Sequence, residues 1–402
     1  LSFGIAFDAV SGNYVAPLGL VIDVDSATID NTNIANLLLR LFSENEAAYW
    51  DAIDRISGRY VIIYGNSYNK ESWIIGDCFG SLKITFCKLH DAVSSNIFLI
   101  NQFFEGGVRN YSPLFKDQRK SWKYGSLGQT QPLTDYEILT PNHALDLSSY
   151  TIHRFYPRSK KSNHGDVKLV VNGLIDNVRK QSELLNHKYN LFQSLTAGLD
   201  SRISLAVNDC IEDTVFFTYL FNEAHRIDAR VSVDIADRLD LRHCILTDSP
   251  KLANDSIDDL KGTRLIVTSS NKHLIYGIKV WDWCSHGNRV VSAYHDGLLP
   301  NYDLKSKVPL HIRSHLWETT RIFWGKNEIF SSSEILKNSR RDWLAHEELF
   351  NRYFIDSEYE DAATLGFNLL DIFYWEHRCG TWVSEVYQGT DFAFNTHSFI
   401  NC

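Results

Sequence analysis

One short segment carries residue types that could do chemistry: Thr196-Ala197-Gly198-Leu199-Asp200-Ser201. It lies between an apolar run at 191–195, which reads as a strand, and a helical pattern that continues through Ala206. A strand-to-helix loop is the usual ligand site of an open α/β sheet, outside the carboxyl ends of the strands. Small residues at 197 and 198 let the backbone approach an anion, and Gly198 is expected to take φ > 0. Backbone N–H groups at the helix start, with the hydroxyls of Thr196 and Ser201, suit a phosphate or pyrophosphate. Asp200 would repel a bare phosphate, so it points to a bridging Mg²⁺. The competing reading is structural: Asp200 or Ser201 simply caps the helix. Spacing alone leaves both open.

The elements around this loop read as alternating strands and helices. Val167, Val170, Val171, Leu174, Ile175 and Val178 recur at helical spacing ahead of the 191–195 strand. A second strand is expected at 214–219, a helix at 228–241 and a third strand at 243–246, with His243 as a packing residue at the strand end. Alternation at these lengths implies βαβ units and a parallel sheet. Residues 1 to about 150 read as β-rich instead. Strands are expected at 60–64, 73–75, 84–86 and 97–100, with turns at Gly65-Asn66-Ser67 and Gly76-Asp77, and helices at 34–41 and 46–56. Between the halves lies a polar, basic stretch with Arg154, Arg158, Lys160, Lys161 and Lys168, read as a solvated connection. The expected organisation is therefore a first domain at 1–153, a linker at 154–168 and a second domain at 169–402.

Composition narrows the function. The chain has 402 residues, with 40 Lys plus Arg against 49 Asp plus Glu, a net charge of -9 spread along its length. A nucleic-acid-binding protein usually shows a basic face, so that class is disfavoured. No run of 18 apolar residues suggests a membrane span, and no secretory signal is evident at the start. The seven cysteines include no CxxC pair and are too dispersed for a zinc site or a disulfide scaffold. Cys78 and Cys87 are expected in strands as buried small hydrophobes. A reducing, cytoplasmic setting is the plain expectation. The chain contains 0 methionines, where average usage would supply several. Spacings are therefore read as minimum spacings, and a tail past Cys402 is expected.

The loop resembles the SGGxDS pyrophosphate loop of the asparagine synthetase family, which belongs to the N-type ATP pyrophosphatases. Thr196 stands for the first Ser and Ala197 for the first Gly. The resemblance implies that Leu195, Thr196, Ala197, Gly198, Leu199, Asp200, Ser201 and Arg202 hold the nucleotide's phosphates, and that Phe217-Thr218-Tyr219 meets adenine, mostly through main-chain groups. Ser314-His315-Leu316-Trp317-Glu318 lies where the family has a second phosphate and metal loop, although the glycines are missing. Glu318 would share the metal with Asp200, or equally form an i,i+3 ion pair with Arg321. The late segment with Asp371, Tyr374, Glu376, His377, Arg378 and Trp382 resembles a late family helix. There Tyr374, Glu376 and Arg378 would face the acyl site, or else form a buried aromatic helix with charged edges. The family's late lysine has no evident counterpart before Cys402.

The first half resembles the family's glutaminase domain through Gly58-Arg59-Tyr60-Val61-Ile62-Ile63, Gly76-Asp77-Cys78-Phe79-Gly80 and Ile84-Thr85-Phe86. That domain begins Cys-Gly-Ile-Ala, the thiol acting as nucleophile with its own α-amine as base. Here the stretch reads Phe3-Gly4-Ile5-Ala6, so an inactive domain is expected. The fold class implied is α/β and α+β: a glutaminase-like (Ntn-type) β-sandwich, then a parallel-sheet ATP-pyrophosphatase (HUP-like) synthetase domain. The implied activity is ATP- and Mg²⁺-dependent amide formation. A small-molecule or peptide carboxylate is adenylated, then attacked by ammonia or an amine, releasing AMP and pyrophosphate. Sugar-acid amidation, β-lactam closure and peptide macrolactam closure stay open within this class, as does a homodimer. From another class comes an inactive nucleotide-binding scaffold. A tRNA-modifying pyrophosphatase shares the loop but fits the acidic balance poorly.

Overall fold

The computed structural model describes residues 2–107, 110, 128–131, 133–161, 166–247, 251, 260–267, 307–313, 347–388, 391 and 395–401. The first half holds an antiparallel sheet of β1 (Ala6–Phe7), β2 (Asn13–Ile22), β3 (Ser57–Asn66), β4 (Glu71–Gly76), β8 (His143–Asp146) and β9 (Ile152–Arg154), in that spatial order. A smaller antiparallel sheet, β6-β5-β7, is made from β5 (Ile84–Cys87), β6 (Ala92–Ser94) and β7 (Glu137–Leu139). The period-2 alternation of β3 explains the layering. Tyr60, Ile62 and Tyr64 pack on helices α1 (Asn31–Glu44) and α2 (Glu46–Arg55), through Ile34, Leu38, Tyr49 and Ile53. Val61 and its neighbours Ile74 and Leu145 face Ile84, Phe86 and Leu139 of the smaller sheet. The result is a helical layer and two sheets around two apolar seams.

Two expectations for this half are corrected. The run at 97–100 is not a strand but the start of helix α3 (Ile97–Glu105). Ile97, Ile100 and Asn101 are buried while Leu99 and Phe103 face outward, and Asn101 Nδ2 donates to Glu105 Oε2 at 2.8 Å, one turn on. A four-residue apolar run does not by itself separate a strand from a helix. Cys78 lies in the turn after β4, half-buried, with Sγ 3.1 Å from Asn401 Oδ1, whereas Cys87 is buried in β5. Strand β2 escaped the sequence pattern because of Pro17. Pro17 is tolerated because its missing N–H faces the short edge strand, where its carbonyl accepts from Gly4 N at 3.1 Å.

The second half holds a parallel sheet of β10 (Tyr189–Ser194), β11 (Val215–Tyr219), β12 (His243–Thr247), β13 (Arg264–Val267), β14 (Val308–Ile312) and β15 (Asn395–His397). Its spatial order is β13-β12-β11-β10-β14-β15. Strands added after β10 first run outward on one side, and then β14 and β15 build on the other. The order therefore reverses between β10 and β14, and the crevice beyond their carboxyl ends is where such sheets bind ligands. Helix α4 (Val167–Lys188) leads into β10, α5 (Leu199–Ala206) joins β10 to β11, and α6 (Arg226–Leu239) joins β11 to β12.

The two halves meet through Leu20 and Ile22 of β2, which pack with Val178 and Leu185 of α4 and with Leu191, Leu310 and Ile312. The apolar first turns of α4 are helical as expected, yet Val167, Leu169 and Val170 are exposed and burial begins only near Val178. The stretch expected as a solvated linker is partly buried. Arg154 ends β9 with its guanidinium 4% exposed, paired to Glu376.

Candidate functional site

Strand β10 ends at Ser194, and the next residues fold into a turn that spends most of its polar groups on itself. Thr196 N donates to Ser201 Oγ at 3.0 Å, and the two hydroxyls lie 2.9 Å apart. Gly198 N donates to Thr196 Oγ1 at 3.1 Å, and Arg202 Nε donates back to Gly198 O at 3.2 Å. Ala197 N donates to Asp228 Oδ1 at 2.9 Å, so the first turn of α6 grips the loop. The hydroxyls read as phosphate ligands are thus engaged within the loop, and Ser201 is buried.

Gly198 departs from expectation. Its φ is -65° and ψ 155°, ordinary extended backbone, not the left-handed region. What the site excludes is volume, because a Cβ built there would lie 3.1 Å from Thr196 Oγ1.

The start of α5 differs from those of α1 and α4. Asp30 caps α1 by accepting from Thr32 N and Asn33 N at 2.9 Å, and Asp166 caps α4 through Lys168 N at 2.9 Å. Gly198 has no side chain, and α5 has no side-chain cap. The reading of Asp200 or Ser201 as the cap is therefore corrected. The first turn, Leu199 to Ser201, presents amide groups and the positive end of the helix toward the crevice, a fit for an anion. Asp200 sits in that first turn, half-buried.

Beneath the loop, Leu195 N donates to Phe217 O at 2.8 Å. Phe217 and Thr218 are buried and Tyr219 is half-buried. Thr218 Oγ1 donates to Leu195 O at 2.7 Å and lies 2.8 Å from both Ser232 Oγ and His243 Nε2. His243 Nδ1 is 2.9 Å from Thr263 Oγ1. Burial pushes the His243 imidazole down to about 4, so it is neutral at pH 7. This is a supporting network, and His243 is a packing residue as expected.

One residue at this end of the sheet was not read from the sequence. Arg313 follows β14 immediately, and its N donates to His397 O at 2.8 Å. Its guanidinium lies over the Tyr387 ring, 5.5 Å from the centroid. The signal was a cation at the carboxyl end of an apolar strand.

The late segment contains a π-helix, Tyr374–Val383. Glu376, placed at the acyl site by the resemblance, is fully buried and paired with the other half of the molecule. Arg154 NH1 lies 2.5 Å from Oε1 and NH2 2.8 Å from Oε2, while Asn142 Nδ2 donates to Oε1 at 2.9 Å. Its carboxylate is engaged by Arg154 and Asn142, which matches the alternative of a buried helix with charged edges. Tyr374 is half-buried against Phe79, Cys379, Val383 and Tyr387, and Arg378 is half-buried. Ser314 to Glu318 lie outside the described residues. Among the described residues no group of three metal-ligating side chains converges, and no helix is long and apolar enough to cross a membrane.

The structure thus brings together the 194–202 loop, Phe217 to Tyr219, Asp228 and Arg313. No protein-family model matches the chain, and no curated protein matches its sequence.

Proposed function

We propose that the chain is an ATP-dependent ligase of the asparagine synthetase type, with an Ntn-type glutaminase-like first domain and a HUP-like ATP-pyrophosphatase second domain. The observation that supports this reading best is the loop at 195–202. It sits where the strand order reverses, it is held rigid by its own hydroxyls and by Asp228, and it opens onto a helix start without a side-chain cap. An oxygen of a substrate carboxylate would attack the α-phosphorus, breaking its bond to the bridging oxygen and releasing pyrophosphate. An amine would then attack the acyl carbon, expel AMP and lose a proton. The first-turn amides of α5 would stabilise charge building on the departing pyrophosphate. Asp200 would hold Mg²⁺ together with phosphate oxygens, a sparse protein donor set that Mg²⁺ accepts. When bound, the metal would neutralise part of that leaving charge.

The first domain would not supply ammonia. Phe3 carries no nucleophile, and its side chain is 65% exposed beside the edge strand. Nitrogen would come from free ammonia or a substrate amine.

A second reading, a nucleotide-binding scaffold without turnover, draws on one observation. The Thr196 and Ser201 hydroxyls and the amides of residues 196 to 198 are already satisfied inside the loop and by Asp228. Screening carboxylates for ATP–pyrophosphate exchange separates the two. Exchange with AMP formation supports the ligase. ADP formation overturns adenylation, and ATP binding with no turnover favours the scaffold. Glutamine labelled at the side-chain amide should release no glutamate and pass no label to product.

A further inference from the structure

Arg313 is the described group that the loop reading leaves unexplained. Strand register sets where it lies. Gln193 pairs with Ile312, which places Ser194 opposite Arg313, and Ser194 pairs on its other side with Phe217. Side chains alternate along a strand, so one face of the sheet carries Phe217 then Tyr219, Phe192 then Ser194, and His311 then Arg313. That face is continuous: the rings of Phe217 and His311 lie 5.1 Å apart across β10. Two residues further, Tyr219, Ser194 and Arg313 form the half-exposed rim of the crevice. Helix α5 packs on the opposite face, through Leu195, Leu205 and Phe216. A ligand at the reversal point is therefore flanked by the start of α5 on one side and by this rim on the other.

Among the described residues the two cations near Tyr387 differ in how they are matched. Two guanidiniums approach the Tyr387 ring, Arg59 at 5.6 Å and Arg313 at 5.5 Å. Arg59 is matched by a two-pronged ion pair with Asp391. Among the described residues no carboxylate pairs with Arg313. Arginine cannot shed its proton to relieve this, and its planar fork matches an oxyanion's two oxygens. Stacking on Tyr387 holds the fork in one orientation, so less freedom is lost when an anion docks.

We propose that Arg313 receives an oxyanion in the crevice, from the nucleotide's phosphates or from the substrate carboxylate. The proposal rests on the ligase reading for the identity of the ligand, but not for the existence of the site. In that reaction two anions must meet, and a cation bridging the rim would lower their mutual repulsion.

The test uses the full chain and three proteins: wild type, Arg313→Gln and Arg313→Lys, with thermal unfolding to establish that all are folded. Binding of inorganic pyrophosphate and of ATP is measured by calorimetry, and ATP–pyrophosphate exchange is measured across carboxylates. A tenfold or greater weakening of pyrophosphate and ATP binding in Arg313→Gln, with a smaller loss in Arg313→Lys, assigns the phosphates as the source. Unchanged ATP binding with a tenfold or greater rise in the carboxylate's half-saturation assigns the carboxylate. Wild-type exchange that Arg313→Gln reproduces overturns the anion site and keeps the ligase. Arginine-dependent pyrophosphate binding without exchange keeps the site and overturns the ligase. A wild type that neither binds pyrophosphate nor exchanges overturns both.

Discussion

In the turn after β4, Asp77 is fully buried and its carboxylate is saturated. It accepts from Phe79 N at 3.1 Å, from Ser81 N and Leu82 N at 3.0 Å, from Ser81 Oγ at 3.0 Å and from Asn401 Nδ2 at 3.2 Å. In the loop after β10, Asp200 sits half-buried in the first turn of a helix that starts without a side-chain cap. Both turns follow a strand and both combine an aspartate with glycine and serine. One has spent its polar groups on the fold, drawing in a residue 324 positions away. The other has also spent most of its hydroxyls and amides, on itself and on Asp228, and differs in a helix start without a side-chain cap. Full burial of the carboxylate at Asp77 against half-burial at Asp200, more than residue type, separates the two turns.

The largest expected effect lies on the saturated side. Asp77→Ala would leave Ser81 N, Leu82 N and Ser81 Oγ without their acceptor in a dry site, while Phe79 N keeps Asn401 Oδ1 and Asn401 Nδ2 keeps Gly58 O. Each such loss costs about 1–3 kcal/mol before relaxation. A total of about 3–5 kcal/mol is expected, at the upper end for a single substitution. Guanidinium denaturation checks this, and a loss below about 1 kcal/mol would mean that water reaches the turn. Asp200→Asn should do the reverse. Exchange should fall by at least about 100-fold, as expected when charge stabilisation of a leaving group is lost. Stability should fall by no more than about 1 kcal/mol, the size of a first-turn carboxylate's interaction with the helix start. A large stability loss in Asp200→Asn would place it in the same class as Asp77 and break the comparison.

The same contrast marks what could be read from sequence. The parallel-sheet elements were legible because short β-branched runs alternate with amphipathic helices, and β10, β11, β12 and α6 lie within a few residues of expectation. The loop's position was legible for the same reason. Its internal hydrogen bonds were not, because Asp228 reaches Ala197 from 31 residues away and no local pattern announces that. Arg154 read as part of a solvated connection and Glu376 as facing an acyl site or edging a buried helix, yet the fold joins them across 222 residues into a buried pair. Long-range saturation of polar groups is a property of the assembled chain. It turned a solvated linker residue and an acyl-site candidate into structural partners.

A smaller effect concerns the support beneath the loop. The folded pKa of His243 is about 4, against 6.5 for an ordinary histidine. Between these values the unfolded chain binds more protons than the folded one, so stability rises with pH. The contribution is complete above about pH 6.5 and is lost as pH falls toward 4, by up to about 1.4 kcal/mol per unit. His397, pushed down to about 3 by burial, acts in the same direction. His243→Gln should therefore flatten the decline in denaturation midpoint between pH 6.5 and 4. An unchanged slope would show that this network does not carry the acid sensitivity.

The smallest expected effect is at Gly198, and it decides why the loop needs a glycine. With φ at -65° and ψ at 155°, an alanine pays no backbone strain there. Replacing glycine by alanine at a compatible conformation removes freedom from the unfolded chain, a gain of about 0.4–1 kcal/mol. Against that, the new Cβ would press on Thr196 Oγ1 at 3.1 Å. That hydroxyl accepts from Gly198 N and contacts Ser201, so it must shift by a few tenths of an ångström and loosen the loop. The two terms nearly cancel, and Gly198→Ala should change stability by less than about 1 kcal/mol. Nucleotide binding should weaken a few-fold, because the displaced hydroxyl holds the turn ahead of α5. Gly198→Val, with a branched Cβ in the same gap, should weaken binding further. A stability loss above about 3 kcal/mol in Gly198→Ala would exceed what a displaced hydroxyl costs and would instead require a left-handed glycine.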